Sequence, residues 1–187
     1  MSSTADSRYT AAAVTLHWAI ALFILFNLIT GSFMEGLRQP AKHVVVSLHN
    51  SSGLTILLLS LARIAVRLTH SPPALDETMS PLESRAAKAV HALLYVLMIA
   101  MPMAGWAITS SSTRKTVSEL YLLTPLPKIG FLVGLPNPQK DALHDQFVLA
   151  HQTGAWILLV LLLAHVGGAL KHQFLDRRPQ LARMWFS

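Results

Sequence analysis

Four long apolar runs, at about residues 11–34, 44–68, 86–110 and 147–170, dominate the pattern of hydrophobic and polar positions. Each reaches the roughly 20 residues that a helix needs to cross a bilayer. Spans that carry polar residues bury them against one another. The expected fold is therefore all-α: an integral membrane four-helix bundle, one transmembrane domain over residues 1–187. The first run reads as a retained span rather than a cleaved signal, because it is too long, its flank is weakly basic and no small-x-small pattern follows it. Pro102, in "AMPMAGW", falls inside the third span and is expected to kink it.

The connections differ in character. Gly36–Pro40 breaks the first, and "HSPPALDETMSP" (70–81) makes the second a proline-rich loop. The third, about 111–140, is the longest. Its segment "ELYLLTPLPKIGFLVGLP" alternates apolar residues with Pro and Gly, so it is expected to lie along the membrane interface and cap a site.

Composition agrees with this picture: 52% of the 187 residues are hydrophobic and 13% charged, with a mean hydropathy of +0.46. The formal charge of +6 sits at the ends of the spans, which points to membrane anchoring and excludes a nucleic-acid module as the expected reading. Arg8, Arg67, Arg85, Lys88, Lys171, Arg177, Arg178 and Arg183 fall on the side of the termini, with Arg63 just inside the membrane end. Arg38, Lys42, Arg114, Lys115, Lys128 and Lys140 fall on the other side. The bias places both termini in the cytoplasm. The absence of cysteine removes disulfides, thiolate metal sites and covalent haem attachment.

Ionisable side chains inside spans are costly and by default functional, and here they are histidines. His151 and His165, in "LAHQTGAWILLVLLLAHVGGALKH" (149–172), are 14 residues apart. That is about 21 Å of helix and nearly a whole number of turns, so both point the same way, one near each membrane face. His17 lies early in span 1, level with His165. His49 lies early in span 2, which enters from the other side, level with His151. A bare zinc or copper site needs three or four clustered ligands. Two separate level pairs, His17/His165 and His49/His151, fit two haems better, with the four imidazoles as iron ligands. The competing reading makes them bundle histidines bonded to neighbouring helices. Gly53 and Gly154, just after the second pair, are expected to leave room for the macrocycle, and Gly167 and Gly168 sit beside His165.

Other residues are secondary candidates. His91, near the start of span 3, could replace His17 or His165 as a ligand, but is expected to contact a haem propionate or a backbone group. His172 continues the span 4 stripe and is placed near the propionates. Arg63 and Arg67 are expected to snorkel to headgroups or, second, to pair with propionates. His43, His70 and His144 read as solvated.

These motifs resemble the bacterial di-haem cytochrome b561 family. The likeness covers nearly the whole chain: "TLHWAIA", "LHNSSGLTILLLSLARIAVRL", "VHALLYVLMIAMPMAGW", "AHQTGAWILLVLLLAHVGGALKHQFLDR" and the tail "LARMW". It implies a four-helix protein of the bacterial inner membrane with two haem b groups, passing electrons between a periplasmic donor and the quinone pool. The short stand-alone members of the family include superoxide:ubiquinone oxidoreductases, which makes superoxide the expected donor and ubiquinone the expected acceptor. The alternative implied by the family is a haem b subunit serving a periplasmic dehydrogenase or cytochrome. On the first reading, Arg38, Lys42, Arg114, Lys115 and Lys140 would attract anionic superoxide, and the 111–140 loop would shelter the quinone.

Overall fold

Apolar side chains with no water to satisfy the backbone leave helix as the only open-chain solution, and four long helices form. The computed structural model describes residues 8–70, 73, 79–113 and 118–185. They are α1 (Ala11–Phe33), α2 (Ala41–Thr69), α3 (Pro81–Ser111) and α5 (Asn137–Leu170), with a single-turn α4 (Gly130–Val133) before the last. All four are long and apolar enough to cross a membrane. A π-turn, Lys171–Leu175, and a short α6 (Gln180–Arg183) end the chain.

The helix starts are set by local chemistry. Thr10 caps α1 by accepting from the Ala13 N–H. Ser80 and Glu83 form a reciprocal capping box at the start of α3, with Pro81 at the first helical position. This cap begins α3 several residues before the apolar run, at 81 rather than about 86. Likewise α5 begins at 137 rather than about 147, since a polar segment continues the helix beyond the apolar run. The chain of α3 runs on through Pro102 as one helix.

The close helix contacts are α1 with α2, α2 with α3, and α3 with α5. A layer of Ile20, Ile24, Ile56, Met98 and Leu158 forms the core at mid-bundle, flanked by Phe23, Leu94 and Leu162. Leu158 stands halfway between His151 and His165, so this apolar layer separates the two histidine levels. We call the bundle end that carries the chain termini the termini end, and the other the loop end.

At the loop end, β1 (Glu119–Leu120) and β2 (Thr124–Pro125) form a small antiparallel hairpin. Tyr121 and Leu122 turn it with φ of 49° and 63°, a left-handed pair that side chains other than Gly rarely adopt. The hairpin is held by a polar stripe one turn apart on α2. Ser51 Oγ accepts from the Tyr121 N–H at 2.7 Å, and the Glu119 N–H reaches Ser47 Oγ at 3.5 Å. The Tyr121 hydroxyl donates to Thr55 Oγ1 at 2.6 Å, because Thr55 gives its own proton to the Ser51 carbonyl. Trp106 Nε1 donates to the Pro127 carbonyl at 2.7 Å, and the Ile129 N–H to Ser110 Oγ at 3.0 Å. The loop is therefore bonded down onto the bundle. At the opposite end the tail is held by Trp18, whose indole N–H donates to the Met184 carbonyl at 2.8 Å.

Candidate functional site

The structure brings the four singled-out histidines together in two pairs. The His17 and His165 ring centres are 6.1 Å apart, and those of His49 and His151 are 6.2 Å apart. The first pair bridges α1 and α5 and the second α2 and α5, across seams where the helix backbones do not pack closely. Two metal–imidazole bonds of about 2 Å each, plus the distances from ring centre to nitrogen, sum to about 6 Å. Both pairs thus match the span of one metal held between two imidazoles. No group of three or more His, Cys, Asp or Glu able to hold a bare metal ion exists among the described residues.

At the loop end the tautomers are fixed. His151 Nδ1 lies 3.1 Å from the Met101 carbonyl, which only accepts, so Nδ1 carries the proton. His49 Nδ1 lies 3.0 Å from Thr30 Oγ1. Thr30 gives its one proton to the Phe26 carbonyl at 2.9 Å, so its oxygen accepts from His49. Both rings keep an Nε2 lone pair, the form in which imidazole binds a metal. The residues present therefore fit a haem iron between each pair.

Two glycines to which the sequence assigned no role shape this level. A Cβ on Gly31 of α1 would stand 3.3 Å from His49 Cε1, and one on Gly105 of α3 would stand 3.3 Å from His151 Cε1. The expected roles of Gly53 and Gly154 are corrected. A Cβ on Gly53 meets the Asn27 side chain, and one on Gly154 runs into Met101 Sδ. Gly154 lets α3 approach α5, whereas Gly53 has room for a Cβ beside Asn27; neither has an imidazole within 4 Å of that Cβ. Gly167 and Gly168 face open space.

At the termini end His91 stands 5.1 Å from His165, centre to centre. That separation is an edge contact, shorter than both matched pairs. The expectation that Arg63 snorkels outward is overturned. Its Nη1 donates to the Ala13 carbonyl at 2.8 Å and its Nε to the Tyr95 hydroxyl at 3.2 Å, so it turns inward between α1 and α3. Arg67 lies 5.6 Å over the Tyr95 ring. His172 lies in the π-turn and not on a continued α-helical stripe, its Nδ1 bonded to Asp176 Oδ2 at 2.6 Å. Lys171 joins Asp176 and Glu83 at 2.8 and 2.7 Å. Lys171, with His172 second, holds the Asp176 carboxyl below its ordinary range.

The peripheral histidines are more engaged than expected. His43 Nε2 lies 3.4 Å from Glu119 Oε2, and His144 Nδ1 lies 3.2 Å from the Ile108 carbonyl on α3. His70 is exposed beside Thr69. Of the basic residues expected to draw in an anion, Arg114 and Lys115 lie outside the described residues, as does most of the proline-rich loop. Lys42 is paired with Glu35 at 2.8 Å, and Lys140 donates to the Val133 carbonyl. The apolar loop segment walls an open groove of about 630 Å³, lined by Met103, Trp106, Lys128, Phe131 and Phe147.

The sequence is similar to those of known proteins. The chain is 29% identical to the cytochrome b561 homolog 2 of Escherichia coli over 180 residues, covering 95% of this chain and 90% of the relative. It is 36% identical over 108 residues to a cytochrome b562 of Cereibacter sphaeroides, covering 54% and 66% of the two chains. Over 104 residues it is 28% identical to a protein of Yersinia pestis described as a probable superoxide oxidase, CybB, with 54% and 57% covered. The family model for prokaryotic cytochrome b561 matches residues 8–187. That match covers nearly the whole chain, and with four membrane-length helices in one bundle the chain belongs to the prokaryotic cytochrome b561 family, membrane proteins of electron transfer.

Proposed function

We propose that the chain holds two haem b groups, one between His17 and His165 and one between His49 and His151, and that it oxidises superoxide with ubiquinone as acceptor. The observation that supports this most is the repeated ring separation, 6.1 Å and 6.2 Å, at two levels of one bundle. Held by these imidazoles, haem b would supply one-electron transfer rather than oxygen binding. His49 and His151 present Nε2 because Thr30 and Met101 hold their Nδ1 protons. The apolar core layer around Leu158 lies between the two levels.

The positive residues at the termini end orient that end toward the cytoplasm of the inner membrane, leaving the loop end periplasmic. Superoxide meets the loop-side pair there, drawn by Arg38, Lys128 and Lys140. Two superoxide ions give up one electron each and leave as dioxygen. Ubiquinone takes both electrons with two protons and leaves as the quinol. The relative described as a probable superoxide oxidase supports this choice of donor.

Rapid mixing of the purified holoprotein with superoxide tests the reading. The haem absorbance should pass to the reduced form, return when ubiquinone is added, and respond more slowly as salt rises. If superoxide leaves the spectrum unchanged while a periplasmic dehydrogenase reduces it, the protein is a haem subunit and the donor assigned here is wrong.

A further inference from the structure

We propose that the two histidine pairs are tuned in opposite directions, the loop-side pair toward the oxidised state and the termini-side pair toward the reduced state, with Thr30 as the positioning residue that sets much of the difference. The inference rests on the pairing under Proposed function and adds a direction to it.

The loop-side rings both donate Nδ1–H to a committed acceptor. For His151 this is the Met101 carbonyl at 3.1 Å, and for His49 the hydroxyl of Thr30 at 3.0 Å. Thr30 is 6% exposed, and the Phe26 carbonyl at 2.9 Å takes its proton, which leaves its oxygen to accept from His49. Drawing on the Nδ1 proton makes Nε2 more basic, and a more basic ligand favours the oxidised metal.

The termini-side rings differ. Among the described residues no hydrogen-bond partner lies on a ring nitrogen of His17 or His165. Positive charge is built in instead. The Arg63 guanidinium is tied to the carbonyl of Ala13, one turn before His17, and to the hydroxyl of Tyr95, one turn past His91. Arg67 lies over the same Tyr95 ring. Arg63 is half-buried and Arg67 exposed, so Arg63 is the less screened cation, and a poorly screened cation favours the state with one more electron. Both differences act in the same sense, so an electron entering at the loop end moves energetically downhill toward the termini end. The acceptor is then expected to collect electrons in the termini half, not under the 111–140 loop.

Potentiometric titration of the haem absorbance in the purified holoprotein tests this. Two one-electron steps are expected, and His151→Ala should remove the one at lower potential. Thr30→Val keeps the shape and loses the acceptor. It should raise the loop-side step by about a tenfold change in reduction equilibrium, 59 mV for one electron, and leave the other step in place. Thr30→Ser should restore the parent value. The inference is overturned if His151→Ala removes the higher step, or if Thr30→Val moves neither step or the wrong one. Should Thr30→Val shed haem, the order of the two steps in the parent protein and the value in Thr30→Ser decide the matter. If His151→Ala and His49→Ala both retain two steps, the ligand pairing itself has failed, which is a different result.

Discussion

Adding one methyl group at Gly105 separates the stability of the bundle from its grip on haem. A Cβ there stands 3.3 Å from His151 Cε1, where carbon atoms prefer about 3.5–4.0 Å. The ring must retreat by about 0.2–0.7 Å, against the 3.1 Å bond that ties its Nδ1 to the Met101 carbonyl. Overpacking of this kind costs about 1–3 kcal/mol, and the lower end applies to a ring that can yield. Charged to the ligand position, about 1 kcal/mol lowers loop-side haem affinity roughly fivefold. The helix gains in the opposite sense, since Ala replaces Gly in a helix interior with a benefit of about 0.5–1 kcal/mol. Gly105→Ala should therefore lose haem faster from one level while the polypeptide melts no earlier. Gly31→Ala should do the same through His49. Gly36→Ala, with nothing within 4 Å of the new Cβ, is the control. Haem content per chain and the rate of haem loss on warming give the readout. If both variants keep haem as the Gly36 control does, the glycines do not seat the imidazoles.

Further outcomes follow from the same structure. His91→Ala should keep the full haem content that His17→Ala loses, measured by extraction, because the His91–His165 contact is too short for a shared metal. Ser51→Ala removes the acceptor of the Tyr121 N–H and should cost about 1 kcal/mol, visible as faster protease cleavage within the loop-end connection. Leu122→Gly should stabilise the hairpin by about 1 kcal/mol in denaturant titration, since φ of 63° suits glycine. The depressed Asp176 carboxyl contributes stability that is complete above its unfolded value, about pH 4, and is lost as pH falls through the lower folded value. Asp176→Asn should remove that acid-side dependence from the melting curve, leaving the neutral-pH haem spectrum unchanged.

The four spans and the level pairing of His17 with His165 and His49 with His151 were legible because helical rise and span direction fix depth along a bundle. Helix ends were less legible: hydropathy marks what crosses lipid, whereas the Ser80–Glu83 cap and the polar stretch from 137 extend helices beyond it. The glycines were misassigned for a rotational reason. Gly53 and Gly154 are near the loop-side histidines in sequence, but the groups that meet those rings come from other helices, at Gly31 and Gly105. Thr30 carried a faint signal, a hydroxyl within an apolar run, and such residues more often bond only their own helix. His172 was placed by extending an α-helical period that the π-turn interrupts. Arg63 turns inward because the Ala13 carbonyl and Tyr95 hydroxyl offer acceptors that no periodicity reveals.

The central claim is that two imidazole pairs, 6.1 and 6.2 Å across, each hold one haem. Counting extractable haem b per chain in the parent and in His17→Ala, His49→Ala, His151→Ala and His165→Ala tests it most directly. The account predicts two haems in the parent and one in each variant, with the same residual spectrum for His17→Ala and His165→Ala and a second, different one shared by His49→Ala and His151→Ala. One haem in the parent, or residual spectra that group the histidines by any other pairing, would contradict it.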